Sequence, residues 1–319
     1  MKPSKQGPSR KILMPVDGSQ HSKFAFELAT RLAESCDAKL TVQHVVDTDA
    51  AWQLFGHDIP GIIGASPWIA AYESLRSSLL YLGDLLIQEC KSLLSRAVVE
   101  HELLLDEGNP VEEICLLARY HDMVIIGHKS LAEPQFDSLS SQFRRRSVAE
   151  GLARKCAAPL LVVQQEGTSW RRLKIFATMD SLSRQYIKGT LSFAEALGAT
   201  AEIVLVGDGS ALDPDVLAER FPILSDAVIS SYSVEIETLE TQFSRVVGGD
   251  DATIKTDDET LVVIPTYFDD GRKSVLFGQT TEEFIHSVVL PAVMLWPQDS
   301  LGRGTREPNG THETLTASM

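Results

Sequence analysis

The feature that most constrains the fold of this 319-residue chain is an internal repeat. Residues 11–17 (KILMPVD) and 174–180 (KIFATMD) are short apolar runs that each end in an aspartate. Apolar residues at helical spacing follow each run, and a second strand-like run then follows, at residues 38–46 and 200–206. Both halves close with two further strand-like runs separated by a helix and a proline. The sequence therefore predicts one order of strands and helices used twice.

Alternating strands and helices predict parallel sheets, because parallel neighbours need a crossover connection. Residues 124–126 (VII) and 160–163 (LLVV) carry no polar side chain, which is typical of strands covered on both faces. We therefore predict an α/β fold of two tandem, doubly wound, Rossmann-like domains. The predicted domains span residues 9–165 and 171–297, and a polar, Gly- and Pro-rich tail over 298–319 is expected to be disordered.

The two predicted domains differ in their middle sections. The first carries an insertion at about residues 51–68, followed by a long helix from about residue 69 to residue 96. Apolar side chains along this helix are expected to cover a core rather than bind a partner. In the second, residues 233–239 alternate as in a strand, and the order of elements over 211–258 stays open. A polar segment at residues 164–172 is expected to link the domains.

Composition and charge exclude several classes of protein. With 44% apolar and 23% charged residues, the chain has the composition of a globular protein. Its net charge of -15 repels a phosphate backbone, so nucleic-acid binding is not expected. No uncharged run is long enough for a membrane-spanning helix. The four cysteines lack metal or disulfide-frame spacing and no apolar segment forms a secretory signal, so a cytoplasmic location is expected.

Three segments of the sequence form a recognisable set. They are residues 14–19 (MPVDGS) with the small-residue helix after them, the strand that ends at Gly127, and residues 147–163, which end in the strand PLLVV. Together they resemble the universal stress protein family. The resemblance covers nearly all of residues 9–297. It implies an adenine nucleotide alpha hydrolase-like architecture with open five-stranded parallel sheets.

In the second half the resemblance rests on Asp180, Gly278 and the strand after Pro291, which implies a diverged copy of the first domain. It also implies an intramolecular pseudo-dimer in which the last strands, residues 160–163 and 293–296, pair edge to edge.

In the nucleotide-binding branch of the family, a glycine-rich loop holds the phosphates. Its pattern is G-x-x-G, then nine residues, then G-S/T. The aspartate after the first strand contacts the nucleoside. Carried onto this chain, the resemblance implies a nucleotide site, with ATP as the candidate ligand, at Asp17, Gly127, Ser130, Arg146 and Ser147. The pattern is eroded, because Ser130 and Arg146 replace two glycines and the loop is six residues longer than in the family.

The second half departs further from the family pattern. Pro265 and Phe268 replace the first two glycines, and Gln279 replaces the Ser/Thr that follows the third, Gly278. Proline removes an N–H donor and phenylalanine adds bulk, so no family-type ATP site is expected there. Asp180 is accordingly interpreted as a turn residue.

Alternatives remain for individual residues of the first half. Asp17 has two interpretations: it contacts a nucleoside, or it forms the turn into the first helix. Residues 144–146 (RRR) clamp phosphates or form a solvated loop, and the second is favoured. His128 is interpreted as a surface residue and His44 as a residue whose bonds are satisfied within the fold.

Two functions follow from these patterns. The favoured one is a non-enzymatic stress-response or regulatory protein, with no required cofactor, that acts by binding an unknown protein partner or a small ligand. The alternative is a sensor that holds ATP or a related nucleotide in the first domain. An enzyme of the wider nucleotide hydrolase architecture is a third hypothesis, but no catalytic set supports it.

Overall fold

The computed structural model describes residues 10–56, 65–129, 147–167, 169–178, 183–207, 228–233, 243, 246–248, 252–269, 272–275 and 279–298. Several predictions fall outside these ranges. They concern Ser130, Arg146, Asp180, Gly278, the arginines at 144–146, the strand-like residues 234–239 and the tail from residue 299.

The first half alternates strands and helices, with two successive helices after its second strand. Its elements are β1 (Lys11–Pro15), α1 (Gln20–Cys36), β2 (Lys39–Asp47), α2 (Thr48–Gly56), α3 (Ala65–Leu94), β3 (His101–Gly108), α4 (Pro110–Ala118), β4 (Met123–Gly127), α5 (Val148–Lys155) and β5 (Leu160–Val163). The predicted insertion at 51–68 thus overlaps most of α2 and the first turn of α3, and the predicted long helix corresponds to α3, which begins four residues earlier than predicted.

The described part of the second half has fewer helices than the first and adds two strands of two residues each. Its elements are β6 (Arg172–Ala177), α6 (Arg184–Leu197), β7 (Thr200–Gly207), β8 (Val228–Ser233), β9 (Val247–Gly248), β10 (Ile254–Lys255), β11 (Thr260–Asp269), β12 (Arg272–Val275), α7 (Thr281–Ser287) and β13 (Ala292–Pro297). The strands β9 and β10 pair only with each other.

Both halves contribute to one eleven-stranded sheet, in the order β3-β2-β1-β4-β5-β13-β11-β6-β7-β8, with β12 paired to β11. The strands are parallel within each half, except in the β11–β12 hairpin. The first half follows the order 3-2-1-4-5, and the second half follows the same order when its strands are counted from the far edge. The α/β fold with a mostly parallel sheet is therefore confirmed.

The two last strands of the halves are direct neighbours. β5 and β13 pair antiparallel, with Val162 opposite Val293 and Leu161 opposite Met294. Leu161 and Met294 belong to one buried cluster that also contains Ile12 of β1 and Leu173 of β6. The expected linker is hydrogen-bonded to the second half, because the Gln164 N–H donates to the Pro291 carbonyl at 2.8 Å.

Local sequence explains why the helices of the first half begin where they do. Ser19 caps α1, and its side chain accepts the Ser22 N–H. Asn109 caps α4, where Pro110 at the first helical position has no N–H that would go unpaired. Ser147 and Glu150 form a capping box at α5. These polar caps fix the helix ends that surround the carboxyl edge of the sheet.

Candidate functional site

A cavity lies at the carboxyl edge of the first half, beside β1. The chain leaves β1 on one side towards β2 and returns on the other side as β4, so the strand order reverses here. Ligands of open α/β sheets bind outside the carboxyl ends of the strands at such a point. The cavity holds about 660 Å³, which is in the range of small-molecule sites.

Asp17 follows β1 and lies half-buried in the cavity wall. Its Oδ1 accepts the Ser19 N–H at 2.9 Å, and its own N–H donates to Ser22 Oγ at 3.2 Å. The Ser19 hydroxyl in turn donates to the Lys129 carbonyl at 3.1 Å. Asp17 therefore forms the turn into α1, which is one of its two interpretations, while it also faces the cavity.

Gly127 ends β4 and also lines the cavity. A Cβ atom at this position would lie 2.5 Å from the His21 carbonyl carbon and 2.6 Å from the Ser22 nitrogen. Real Cβ atoms do not approach backbone so closely, so only glycine fits where the end of β4 lies against the first turn of α1. This contact explains the glycine without a role in phosphate binding.

Ser147 lies next to the cavity, and its polar atoms form hydrogen bonds within the fold. Its Oγ accepts the Glu150 N–H at 3.2 Å, and its own N–H donates to Glu150 Oε2 at 3.2 Å. The next two residues, Val148 and Ala149, line the cavity. Of the five predicted site residues, the structure thus brings Asp17 and Gly127 to the cavity and Ser147 beside it.

The roof of the cavity is apolar and is formed by α2 and α3. Ala50 and Ala51 come from α2, and α3 adds a row of leucines: Leu75, Leu79, Leu82 and Leu86. The helix α3 approaches the sheet most closely at Gly83, where a Cβ would lie 2.8 Å from Leu105 Cδ1 and 2.9 Å from His44 Cδ2. The middle of α3 covers the cavity, where Leu82 remains 59% exposed, while Leu86 also packs against the buried core. The prediction that the apolar side chains of this helix cover a core therefore holds for Leu86 but not for Leu82.

Polar side chains of β2 lie beneath this roof. Gln43 donates through Nε2 to Asp106 Oδ2 at 2.8 Å, and His44 donates through Nδ1 to the Val16 carbonyl at 2.7 Å. Asp47 Oδ1 accepts the Ala50 N–H at 2.8 Å. These bonds tie β2 to β1, β3 and α2, so they belong to the fold.

One polar atom of the cavity wall is left over. Gln43 is 1% exposed, and its Oε1 has no hydrogen-bond partner among the described residues. Because the Asp106 carboxylate only accepts, the amide orientation is fixed and Oε1 is the free acceptor. A buried carbonyl without a donor is costly, and Oε1 is itself inaccessible, so it is an unmet acceptor behind the cavity wall rather than a contact point for a ligand. Sequence reasoning missed Gln43, although a glutamine inside a largely apolar strand was a usable signal.

His128 is not the surface residue that the sequence favoured. It is half-buried after β4, and its Nε2 donates to the Ile285 carbonyl of α7 at 2.8 Å. Burial lowers its pKa, and burial also lowers the pKa of His21, whose ring lies 6.4 Å away in an edge contact. His128 thus joins the two halves of the chain instead of facing a ligand.

The described residues show neither a metal-ligand cluster nor a membrane-spanning helix. No three His, Cys, Asp or Glu side chains in that part of the chain lie together as metal ligands would. Across the same residues, none of the helices combines the length and the apolar character needed to cross a bilayer.

In the second half, the described residues after Pro265 continue as a strand. Pro265 and Phe268 lie within β11, and β12 pairs antiparallel with it, so Phe268 pairs with Lys273. Backbone pairing thus extends the strand past the two positions that replace the family's first glycines. Phe268 is 54% exposed.

Comparisons with known proteins agree with this architecture. The model of the Universal stress protein family matches residues 8–164. The structure of a universal stress protein from Archaeoglobus fulgidus DSM 4304 aligns with a TM-score of 0.56 at 14% identity, over 91% of this chain and 99% of that one. The functionally unknown protein PA1789 from Pseudomonas aeruginosa PAO1 aligns with a TM-score of 0.46 at 13% identity, over 91% and 93%. The structure of Universal stress protein UspA from Lactobacillus plantarum aligns with a TM-score of 0.39 at 17% identity, over 50% of this chain and 99% of that one. A search of curated proteins gives no match.

Proposed function

Residues 8–164 of this chain belong to the universal stress protein family, and we propose that the chain is a non-enzymatic regulatory protein of that family, which works by binding a small ligand under α3. The observation that carries the proposal is the cavity of about 660 Å³ at the switch point of the sheet, roofed by the leucines of α3. Occupancy of this cavity would report a cellular condition to a protein partner.

The lining favours a ligand with an apolar body and an anionic group. Leucines of α3 form the roof, and Val16, Val46 and Ile126 add apolar surface from the sheet. Lys129 at the lining offers a positive charge for the anionic group. Asp17, His44 and Asp47 are hydrogen-bonded within the fold, which supports binding rather than catalysis as the activity.

Filling the cavity tests the proposal. Leu79→Trp places a large ring under α3, while Leu93→Trp makes the same change on the same helix at a position 43% exposed and outside the cavity lining. We expect the fluorescent probe 1-anilinonaphthalene-8-sulfonate to bind the original protein and the Leu93→Trp variant. We expect at least a tenfold loss with Leu79→Trp, about 1.4 kcal/mol. Equal binding by all three proteins would contradict the cavity as the site.

A nucleotide sensor is the second candidate. Asp17, Gly127 and Lys129 lie at the switch point, which is where nucleotides bind in related architectures. Against it, Asp17 and Ser147 are already bonded within the fold, and Gly127 is explained by its contact with α1. Calorimetry with ATP separates the two: a heat of binding that Leu79→Trp abolishes would support the sensor, and no heat would remove it.

We also propose that the second half is a diverged copy of the first, joined to it as an intramolecular pseudo-dimer. The shared strand order and the antiparallel contact of β5 with β13 support this view. The hairpin β11–β12 occupies the place of the phosphate loop, so we assign ligand binding to the first half alone.

A further inference from the structure

A second cavity lies at the junction of the two halves, and none of the described residues lines both it and the cavity under α3. This junction cavity holds about 920 Å³. The first half contributes α4 and α5 to its lining, and the second half contributes β11, β12 and α7. The residues from α4 and its end are Glu112, Cys115, Leu116 and Arg119, whose helical spacing places them on one face. Both halves therefore supply side chains to one concave surface.

Two ion pairs cross this lining. Arg154 Nε of α5 lies 2.8 Å from Glu282 Oε1 of α7, and Lys155 Nζ lies 3.1 Å from Glu112 Oε1 of α4. The first pair joins the halves of the chain, and the second joins neighbouring helices of the first half. Because the charges in each pair cancel, the field in the cavity is set by the charged residues that remain.

Positive charge is in excess among those remaining residues, although the chain as a whole has a net charge of -15. Arg119, Arg272 and Lys273 line the cavity, and none of them has a carboxylate partner in the described part of the chain. Both arginine residues are exposed. The one remaining carboxylate of the described lining, Glu283, accepts the Thr280 N–H and O–H in the cap of α7. Three positive charges and one negative charge leave an excess of two.

Lys273 is the buried member of this group. It is 3% exposed, and its Nζ donates to the Cys156 carbonyl at 2.5 Å. Burial lowers the pKa of Lys273 to about 8, so the group is still charged at neutral pH. A buried ammonium is costly unless a negative charge compensates it. An anion in the cavity would supply that charge through the low-dielectric interior, without touching Nζ.

Apolar surface lies beside these charges. Phe268 of β11 is 54% exposed and pairs with Lys273 of β12, so the two side chains emerge on the same face of the hairpin. Leu116 of α4 is 49% exposed and lines the same cavity. An aromatic ring gains contact with such a phenylalanine, while an arginine guanidinium binds phosphate oxygens through two parallel hydrogen bonds. The lining therefore combines groups for both parts of an aromatic phosphate.

We propose that the junction cavity binds an organic phosphate, which is a phosphate monoester dianion attached to an aromatic or other apolar group. Its two negative charges match the excess of two positive charges at the lining. Arg119 and Arg272 hold the phosphate from opposite halves, Phe268 contacts the apolar group, and Lys273 attracts the charge from behind the wall. The ligand thus strengthens the contact between the halves. This site does not depend on the function proposed for the cavity under α3.

The test titrates the full chain with phenyl phosphate in a calorimeter at about pH 7, where a phosphate monoester carries about two negative charges. We expect saturable binding that is at least about tenfold weaker in Arg119→Met and in Arg272→Met, because each change removes charge-assisted hydrogen bonds. Arg96→Met is the matched control, since Arg96 is exposed after α3 and outside the lining. It should leave the Kd unchanged. Absence of binding, or an equal Kd in all four proteins, would overturn the proposal.

Two further comparisons test the two parts of the ligand. Phenyl sulfate has the same ring with a single charge and should bind more weakly than phenyl phosphate. Phe268→Ala should weaken the binding of phenyl phosphate about threefold and leave the binding of inorganic phosphate unchanged. Equal binding of the sulfate and phosphate esters would contradict the charge match. An unchanged Kd for phenyl phosphate in Phe268→Ala would contradict the contact with the apolar group.

A third comparison separates this site from the cavity under α3. Leu79→Trp fills that cavity and should leave the binding of phenyl phosphate unchanged. Loss of phenyl phosphate binding in Leu79→Trp would place the probe under α3 and would overturn the assignment to the junction cavity.

Discussion

At the scale of single residues, Asp17 serves the fold through a turn and faces the cavity at the same time. Its carboxylate accepts the Ser19 N–H at 2.9 Å, immediately before α1 begins. Aspartates in this position stabilise helix starts, because they satisfy an N–H that has no partner within the helix. The nucleoside contact known in the family would use the same carboxylate, whose Oδ1 already accepts the turn hydrogen bond.

Two substitutions at Asp17 distinguish the contribution of the turn hydrogen bond to stability from the contribution of the negative charge. Asp17→Ala removes the acceptor and is expected to lower the free energy of unfolding by about 1 kcal/mol. Asp17→Asn keeps an oxygen at the same place and is expected to stay within about 0.5 kcal/mol of the original protein. Urea denaturation measures both values. Equal losses for the two variants would show that the charge, not the turn bond, stabilises this position.

Gln43 is the residue at which sequence and structure contribute different information. Its position in an apolar strand is visible from the sequence, but its free Oε1 depends on Asp106, which is 63 residues further along the chain. No local pattern indicates which end of the amide is already bonded. For the same reason the sequence placed His128 on the surface, since its acceptor at Ile285 is 157 residues away.

At the scale of elements, glycines set how closely helices approach the sheet, and they do so in two ways. Gly127 lies against backbone atoms of α1, which cannot move without shifting the helix. Gly83 of α3 lies against the ends of Leu105, His44 and Val46 side chains, which can rotate. The two positions should therefore respond differently to the same added methyl group.

We predict that Gly127→Ala costs about 1–3 kcal/mol, because an overpacked site must displace backbone. Gly83→Ala should cost less than about 1 kcal/mol, since the gain in helix propensity offsets the rotation of neighbouring side chains. Chemical denaturation of both variants against the original protein gives the comparison. A larger loss for Gly83→Ala than for Gly127→Ala would contradict this account of the packing.

The elements of the first half were largely predictable because their signals are local. Apolar runs, caps and the small-residue helix start indicated β1, α1, β4, α5 and β5, and the placement of the site at the carboxyl edge followed from them. The hairpin β11–β12 was not predictable from the same pattern. Residues 269–271 (DDG) are a turn signal, but the family order of strand, loop and helix left no place for the extra strand β12, which pairs with β11 through backbone groups.

At the scale of the whole molecule, the halves share one sheet and one set of buried side chains. The cluster that contains Ile12 and Leu161 also contains Leu173 and Met294 from the second half. Pairing β5 with β13 leaves neither strand as an exposed edge, which is a recurrent way to prevent association with other chains. Breaking the molecule in two would therefore expose both an edge and apolar surface.

We predict that the two halves unfold together in urea. Far-UV circular dichroism reports both halves, while tryptophan fluorescence includes the buried Trp170 at the junction. Because the core is continuous, the two signals should give one transition with the same midpoint. Two separate transitions would indicate independently stable units and would contradict a shared core.

Native mass spectrometry of the purified full chain tests the central claim, ligand binding under α3, most directly. The account predicts one small molecule per chain, with an apolar body and no triphosphate, present in the original protein and in Leu93→Trp but absent from Leu79→Trp. A triphosphate nucleotide retained equally by all three proteins would contradict it, because that ligand would occupy a place other than the cavity under α3.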